Sequence, residues 1–303
     1  MAQTKEAVYI ILVNYNGYED TVECIESLKK ITYSNYKIIV VDNNSLDNSG
    51  QKIKQRFCED IIYIPSDENL GFAGGNNLGI EYALKQNCDY VLLLNNDTLV
   101  EPDFLEPLLQ VFKEEHSVGA VGGKIFHWSN PELLWFAGAK INSFTGKTRH
   151  LGYLEKDMGQ YDKITETDYI TGCLMLVKRE AIEAAGLMED KYFLYYEETD
   201  WNLRIKKSGY RLFYTPNSRI YHKVSASMTK INHIVNYYYD RNVVYFISKN
   251  YGTLNKVFVH SYIGIRLRMR NIKAYLNNDK IKMNITKRTL ADIKKKNMGK
   301  FSE

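Results

Sequence analysis

Tyr90-Val-Leu-Leu-Leu94 is an uninterrupted apolar run that stops abruptly at Asn95-Asn96-Asp97. No polar residue alternates within it, so it cannot be a strand with one wet face. It reads as a strand buried on both faces, the pattern of a central parallel strand. Such a strand needs a helical layer above and below it. In open α/β sheets ligands bind beyond the carboxyl ends of the strands. Asn95, Asn96 and Asp97 fall at that end, and oxygen donors of this kind suit a hard cation. Taken alone, the segment reads more simply as a strand followed by an Asn/Asp turn. Three further segments tip the balance toward a ligand site.

The flanking pattern supports a doubly layered α/β chain. Strands are predicted over 8–13, 37–41, 61–64, 90–94 and 119–125, separated by amphipathic helices over 19–30, through Ile53 and Phe57, from the glycine-rich stretch 69–77 to about Gln86, and over 103–115. This alternation implies right-handed βαβ units and a mostly parallel sheet. The 127–167 segment is punctuated by Gly, Asn and Ser and is expected to form a hairpin-rich excursion with three short β pieces. Regular structure resumes over 169–177, followed by a helix near 179–185 and another starting at Glu197 or Glu198. Two short strands, 211–214 and 219–221, close the domain, and helices are expected from Ile231 onward.

With 303 residues, 45% hydrophobic and 25% charged, the chain has the composition of a soluble globular protein with one large domain or one domain plus a smaller unit. Its 24 tyrosines suit sugar and nucleotide surfaces, and plain cores equally. Cys24, Cys58, Cys88 and Cys173 form no CxxC pair, which argues against a zinc site, a redox motif or a disulfide framework and for a reducing, cytoplasmic setting. The first strand begins within eight residues, so no signal peptide is expected, and no apolar run approaches the roughly 20 residues that span a bilayer. The net charge of +4 hides an asymmetry: from Ser261 on, twelve Lys/Arg face three acids, which leaves the first 260 residues at −5.

Strands one, two and four end in Asn14-Tyr-Asn16, Asp42-Asn-Asn44-Ser and Asn95-Asn96-Asp97. Parallel strands present their carboxyl ends to one edge, so the three clusters converge on one cleft. Asn69-Leu-Gly71-Phe72-Ala-Gly-Gly75-Asn-Asn77 opens a helix, where small residues and a helix N-terminus suit an anion. It is neither a dinucleotide fingerprint nor a Walker loop. Tyr195-Tyr-Glu197-Glu198-Thr-Asp200-Trp201 crowds three acids into four positions, which raises carboxylate pKa values as a general base requires. A solvated acidic helix start is the simpler alternative. His222 becomes a metal ligand only if the fold brings it beside Asp97.

The order of these motifs resembles the family 2 inverting glycosyltransferases of the GT-A fold, and within them the rhamnosyltransferase-like branch. The matching segments are Val13-Asn-Tyr-Asn, Val41-Asp-Asn-Asn-Ser-Leu-Asp47, Asn69-x-Gly-Phe-Ala-Gly-Gly-Asn-Asn, Asn95-Asn-Asp97, Thr171-Gly-Cys, Glu197-Glu-x-Asp-Trp and Tyr221-His222, across residues 8–225. The resemblance implies a GT-A catalytic domain over 1–225, with a nucleotide-sugar-binding half (1–100) and an acceptor and catalytic half (101–225), then a basic helical extension over 226–303. It places Asn14, Asn16, Asp42, Asn44, Asp47, Asn69, Gly71, Phe72, Gly75, Asn77, Asn95 and Asn96 around a dTDP- or UDP-linked sugar donor. In that reading Asp42 meets the uracil or thymine edge with Asn14 nearby, and Asp47 supports the pocket. Asn77 and the Gly71–Gly75 backbone line the diphosphate and sugar. Asp97 and His222 hold Mn2+ or Mg2+, Glu198 is the base, and Glu197 and Asp200 shape its setting or bind the acceptor.

The chain departs from the family pattern twice. The usual Asp-x-Asp is Asn95-Asn96-Asp97, which leaves one carboxylate for the metal. Glu stands at the base position where Asp is common, which leaves the choice between Glu197 and Glu198 open. The implied reaction is a single inverting displacement that moves a sugar, rhamnose from dTDP-rhamnose in this branch, onto a saccharide or lipid-linked acceptor of a surface polysaccharide. Trp128, Trp135 and His150 are candidate acceptor contacts, although core packing accounts for the tryptophans equally well. Tyr237-Tyr-x-x-Arg241-Asn242 also resembles the branch, on a helix expected to pack against the catalytic domain. Beyond it Phe258, Ile263, Ile265, Leu267 and Met269 interleave with Arg266, Arg268 and Arg270, which suggests attachment to the cytoplasmic face of an anionic membrane. A solvated tail is the alternative, and no motif supports nucleic-acid binding. Two other readings compete with the transferase: a sugar-1-phosphate nucleotidyltransferase, which would need a basic glycine-rich loop after strand one, and an inactive nucleotide-sugar-binding module.

Overall fold

The computed structural model describes residues 5–224 and 232–301. At its centre is a ten-stranded sheet assembled from β1 (Val8–Asn14), β2 (Tyr36–Asp42), β3 (Ile61–Pro65), β4 (Tyr90–Leu94), β5 (Thr98–Val100), β6 (Val118–His127), β7 (Asn130–Phe136), β10 (Thr165–Glu166), β11 (Leu174–Lys178) and β12 (Arg211–His222). Short strands β8 (Ala139–Ile141) and β9 (Thr148–His150) form a separate hairpin. The main order is β10-β12-β6-β11-β4-β1-β2-β3, with β5 added to β12 and β7 to β6. Strands β3, β2, β1 and β4 are mutually parallel, whereas β11 runs antiparallel between β4 and β6.

Alternating side chains of the apolar strands build two cores. Ile10 and Leu12 of β1 and Leu92 of β4 face one layer, which is closed by helices α1 (Tyr18–Leu28), α2 (Ser49–Phe57) and α4 (Leu105–Glu114). Ile11, Val91 and Leu93 face the other, closed by α3 (Gly71–Lys85), α5 (Arg179–Ala185) and α6 (Glu197–Lys207). All five β4 residues are buried, as the unbroken apolar run requires. Each such Leu or Ile contributes about 1.5–3 kcal/mol on burial. A third core joins α7 (Asn232–Asn250), α8 (Thr253–Leu276) and α9 (Lys280–Lys295) to Tyr192 and Tyr196, just ahead of α6.

The structure corrects the sequence reading in several places. Residues 98–100 form a strand that was not expected. The excursion holds four short strands, not three, and regular structure resumes only at Leu174, not at residue 169. The two short strands near 211–221 are one bulged strand, β12, whose register shifts between Thr215 and Arg219. Pro216 lies at the shift, where its missing N–H would break the ladder. The helix that the glycine-rich stretch opens begins at Gly71, so residues 71–77 form its first two turns. The expected boundary near residue 225 and the expected helix start at Ile231 lie outside the described residues.

Burial of Lys124 fixes the excursion. Its ammonium, fully buried on β6, holds Asp157 at 2.7 Å and Asp162 at 2.5 Å. Such a cation costs several kcal/mol if left unpaired, so both carboxylates are drawn back against the sheet.

Candidate active site

The parallel register places Asn14 beside Asp42 at the carboxyl ends of β1 and β2. Asn14 Nδ2 donates to Asp42 Oδ1 at 3.0 Å, and Tyr63 OH donates to Asp42 Oδ2 at 3.3 Å. On its other side Asn14 Oδ1 accepts from Thr21 Oγ1 at 3.0 Å, and Thr21 in turn accepts from Asn96 Nδ2 at 2.8 Å. One hydrogen-bonded line therefore crosses the ends of three neighbouring strands. Asn16 and Asn44 take left-handed φ values of 52° and 61° that suit asparagine. Asn16 Oδ1 receives the Leu46 N–H at 2.7 Å, and Asp47 Oδ1 receives the Ser49 N–H at 2.9 Å at the start of α2. Loops one and two are thus stitched together.

At the other end of the cleft, antiparallel pairing of β5 with β12 sets His222 opposite Thr98, the neighbour of Asp97. His222 Nε2 lies 3.1 Å from Asp97 Oδ1, with both side chains buried. Burial opposes charge on His222, but Cys173 and Asp97 beside it push its pKa up to about 10. Asn95 packs beneath them, its carbonyl accepting from Thr98 Oγ1 at 2.7 Å. Asp97 and His222 supply one carboxylate and one imidazole, and among the described residues no group of three His, Cys, Asp or Glu side chains is placed to hold a metal ion. Two protein donors leave coordination positions for diphosphate oxygens, a set that fits a divalent ion, Mn2+ better than Mg2+ because of the imidazole.

Glu197 and Glu198 sit at the start of α6. Glu197 is 2% exposed, whereas Glu198 is partly buried. Tyr169 OH donates to Glu198 Oε1 at 2.8 Å, and Glu198 Oε2 has no hydrogen-bond partner among the described residues. Burial pushes both carboxyls above the usual carboxylate range, and the Glu198 charge pushes Glu197 further. Between the Asp97–His222 pair and Glu198, aromatic rings lie in sequence. Trp135 meets His222 at 4.6 Å and His150 at 4.9 Å, and His150 stacks on Tyr169 at 5.9 Å. Trp135 and His150 therefore pack behind the site, and burial holds the His150 ring neutral with a pKa near 4. Trp128 is exposed at the rim.

The segment entering α6 is strained: Phe193, Tyr195 and Tyr196 all have positive φ, at 65°, 68° and 76°. Such conformations cost about 1–3 kcal/mol each and persist only where their surroundings impose them. Two elements do so. Phe72 N–H at the head of α3 donates to the Phe193 carbonyl at 3.0 Å, and Gly71 (φ 70°) lies so close that a Cβ there would fall 2.1 Å from that oxygen. From α7, Asn242 Nδ2 donates to the Leu194 and Tyr195 carbonyls, each at 2.8 Å, and Arg241 Nη2 to that of Tyr192 at 3.0 Å. In the sequence Arg241 and Asn242 belong to a motif that resembles the rhamnosyltransferase branch, on a helix expected only to pack; their bonds to the turn before α6 were not foreseen.

Three candidate roles need correction. Gly71 N–H already bonds Asn69 Oδ1 at 2.9 Å and Phe72 N–H bonds Phe193, so these amides are not free to cradle a diphosphate. Gly75 instead lets α3 approach the sheet: a Cβ there would fall 2.9 Å from Val13. Asn77 is committed to both backbone groups of Met188, at 2.9 and 3.0 Å. Asp200 is fully buried and held by Arg204, Lys249, Asn250 and Tyr192. It pins α6 to α7 and cannot meet an acceptor.

Comparison with known proteins bears on the family and the fold. Glycosyl transferase family 2 matches residues 9–186. The low-salt glycan biosynthesis hexosyltransferase Agl10 of Haloferax volcanii is 26% identical over 205 residues, covering 66% of this chain and 62% of its own length. GalNAc-T7 with UDP, GalNAc and Mn2+ superposes with a TM-score of 0.60 at 14% identity, over 86% of this chain and 55% of that one. The mannosyltransferase PcManGT from Pyrobaculum calidifontis, with GDP-Man and Mn2+, gives a TM-score of 0.58 at 16% identity, over 97% and 76%. The architecture is that of the GT-A fold.

Proposed function

Since the chain belongs to glycosyl transferase family 2, we propose that it transfers a sugar, with inversion, from a nucleoside-diphosphate donor to a hydroxyl of a saccharide or lipid-linked acceptor. The observation that carries this reading is the placement of Asp42, the Asp97–His222 pair and Glu198 along one sheet edge. Asp42, oriented by Asn14 and Tyr63, offers its carboxylate to the imide N–H of a thymine or uracil. Asp97 and His222 hold the divalent ion, which when bound neutralises the donor diphosphate and improves it as a leaving group. Glu198 takes the proton from the acceptor hydroxyl as that oxygen attacks the anomeric carbon opposite the nucleotide. Its raised pKa makes it a stronger base than an ordinary carboxylate. Glu198 is favoured over Glu197 because it is the less buried of the two and Tyr169 OH, 2.8 Å from its Oε1, favours its ionised form. dTDP-rhamnose is the favoured donor, and surface polysaccharide the favoured destination, on the motif resemblance. The related structures hold UDP and GDP-mannose, so the fold alone leaves the base open.

Residues 1–100 would then bind the donor, 101–225 supply catalysis and acceptor contacts, and 226–303 dock the enzyme at the cytoplasmic membrane surface. Among the described residues no helix is long and apolar enough to cross a membrane. The exposed side of α8 nevertheless carries Leu254 (80% exposed), Phe258, Ile265, Met269, Ile272 (59%) and Leu276 (73%) at helical spacing. Exposed Arg268, Lys273 and Lys280 lie on or beside this stripe. That combination suits a helix lying in an anionic interface. The expected mixture of apolar and basic residues is resolved differently: Ile263 and Leu267 face the core, and Arg266 and Arg270 are turned inward.

The test is thermal stabilisation by dTDP-, UDP- and GDP-linked sugars with and without Mn2+. A metal-dependent shift with a pyrimidine-linked sugar, lost in Asp97→Ala and His222→Ala, is expected. A folded protein that responds to none of these ligands would overturn the donor assignment.

A further inference from the structure

Between the β8–β9 hairpin, the start of α6 and helices α7 and α8 lies a cavity of about 280 Å³. That is room for a diphosphate or one acidic sugar ring, at the small end of ligand pockets. Lys147 from the hairpin and Arg266 and Arg270 from α8 line it, against a single carboxylate, Asp240. Asp240 is buried and pairs with both arginines, Oδ2 lying 2.5 Å from Arg270 Nη1. One of the three cationic charges is thereby balanced and two are in excess. Lys147 forms no ion pair among the described residues; its ammonium lies 5.7 Å from the Tyr262 ring centre. Arg266 Nε is buried with no hydrogen-bond partner there. Excess positive charge and an unmet donor around a concave space attract an anion.

The cavity is built into the fold. Tyr196 OH donates to the Gly146 carbonyl at 3.1 Å, and Asn255 Nδ2 to that of Ser143 at 3.0 Å, which bind the hairpin to α6 and α8. Gly146, at φ 67°, lies so near α7 that a Cβ there would fall 2.4 Å from Val243. The cavity also abuts the catalytic carboxylates. Tyr239 lines it at 42% exposure and stacks on Tyr195 at 4.3 Å. The Tyr196 hydroxyl feels both the Arg266 cation and the Glu198 charge.

We propose that this cavity holds an anionic group of the acceptor, a phosphate, diphosphate or carboxylate, beside the hydroxyl that Glu198 deprotonates. Calling the occupant the acceptor rests on the transferase reading above; the anion site itself does not. The experiment is calorimetric titration of the full chain with inorganic pyrophosphate in metal-free buffer. Saturable binding is expected, weakened at least ten-fold by Lys147→Glu and by Thr148→Glu, each checked for an unchanged melting curve. Asp97→Ala should bind pyrophosphate as the parent does, which separates this site from the donor diphosphate. Absence of binding, or binding that neither charge change affects, would overturn the proposal. Competition by farnesyl diphosphate would point to a lipid-linked acceptor and competition by glucuronate to an acidic saccharide. Either supports the site, and competition by neither overturns it.

Discussion

Asn242 on α7 donates its side-chain amide to the carbonyl of Tyr195, 47 residues earlier, at 2.8 Å. Tyr195 has a left-handed backbone and lies three residues before Glu198, so the bond holds a strained turn in the form that aims the proposed base. Asn242→Ala removes this bond and its companions to Tyr192 and Leu194. Misplacement of a base by about 1 Å costs on the order of 100-fold in rate. The variant should lose kcat on that scale with little change in donor KM, as steady-state kinetics would show. A parallel loss of donor affinity would mean that Asn242 serves only general stability.

Gly50, in the first turn of α2, is the only residue type that leaves room for the Asp42 carboxylate: a Cβ there would lie 2.2 Å from Oδ2. Gly50→Ala should therefore turn Asp42 away from Asn14 and weaken nucleotide binding about ten-fold or more, the worth of one charge-assisted hydrogen bond. Calorimetry with dTDP and UDP reads this directly. Unchanged affinity would remove Asp42 from the base pocket.

Glu197 and Glu198 are held above the ordinary carboxyl value of 4.5 by burial. A group with a raised folded pKa favours the native state fully below its unfolded value, and that contribution is lost as pH rises through the folded pKa. Stability should thus decline with pH above 4.5, and Glu197→Gln should flatten the decline. Activity runs the other way, because the base must be ionised. Tyr169→Phe removes the hydrogen bond that favours ionised Glu198. The rising limb of the rate profile should move to higher pH in that variant. A profile identical to the parent's would assign the base elsewhere.

Met269 and Ile272 stand on the exposed stripe of α8. Sedimentation with vesicles containing phosphatidylserine should recover the protein, and Met269→Glu or Ile272→Glu should each weaken recovery about ten-fold, given about 1.5–3 kcal/mol per buried apolar side chain. The melting temperature should hold, since neither residue touches the core. Vesicle binding indifferent to both changes would place the contact on another surface.

Most of the sheet and its site edge could be read from the sequence because β4 and β1 are nearly all apolar and end sharply in amides and acids. The pairing of Asp97 with His222 could only be conditional. It depends on β5, three residues long, whose signal is too short to detect and whose partner lies more than a hundred residues away. The glycines were read as an anion loop because glycine serves both an open loop and a close contact, and here close contacts prevail, Gly71 against Phe193 and Gly75 against Val13 of the sheet. Asn242 stood in a recognised motif, but its role could not be read. Its partners are backbone carbonyls, which carry no residue identity for a sequence pattern to match.

The line of hydrogen bonds from Asn96 through Thr21 and Asn14 to Asp42 makes the two ends of the cleft mechanically one piece. On the proposed donor reading, a lineage could not change its preferred nucleobase by altering Asp42 alone. The amide of Asn14 would lose an acceptor, and the disturbance would travel to the turn that carries Asp97. Drift in donor choice would have to arrive as paired changes, so Asn14 should act as a ratchet on how quickly this pocket can evolve.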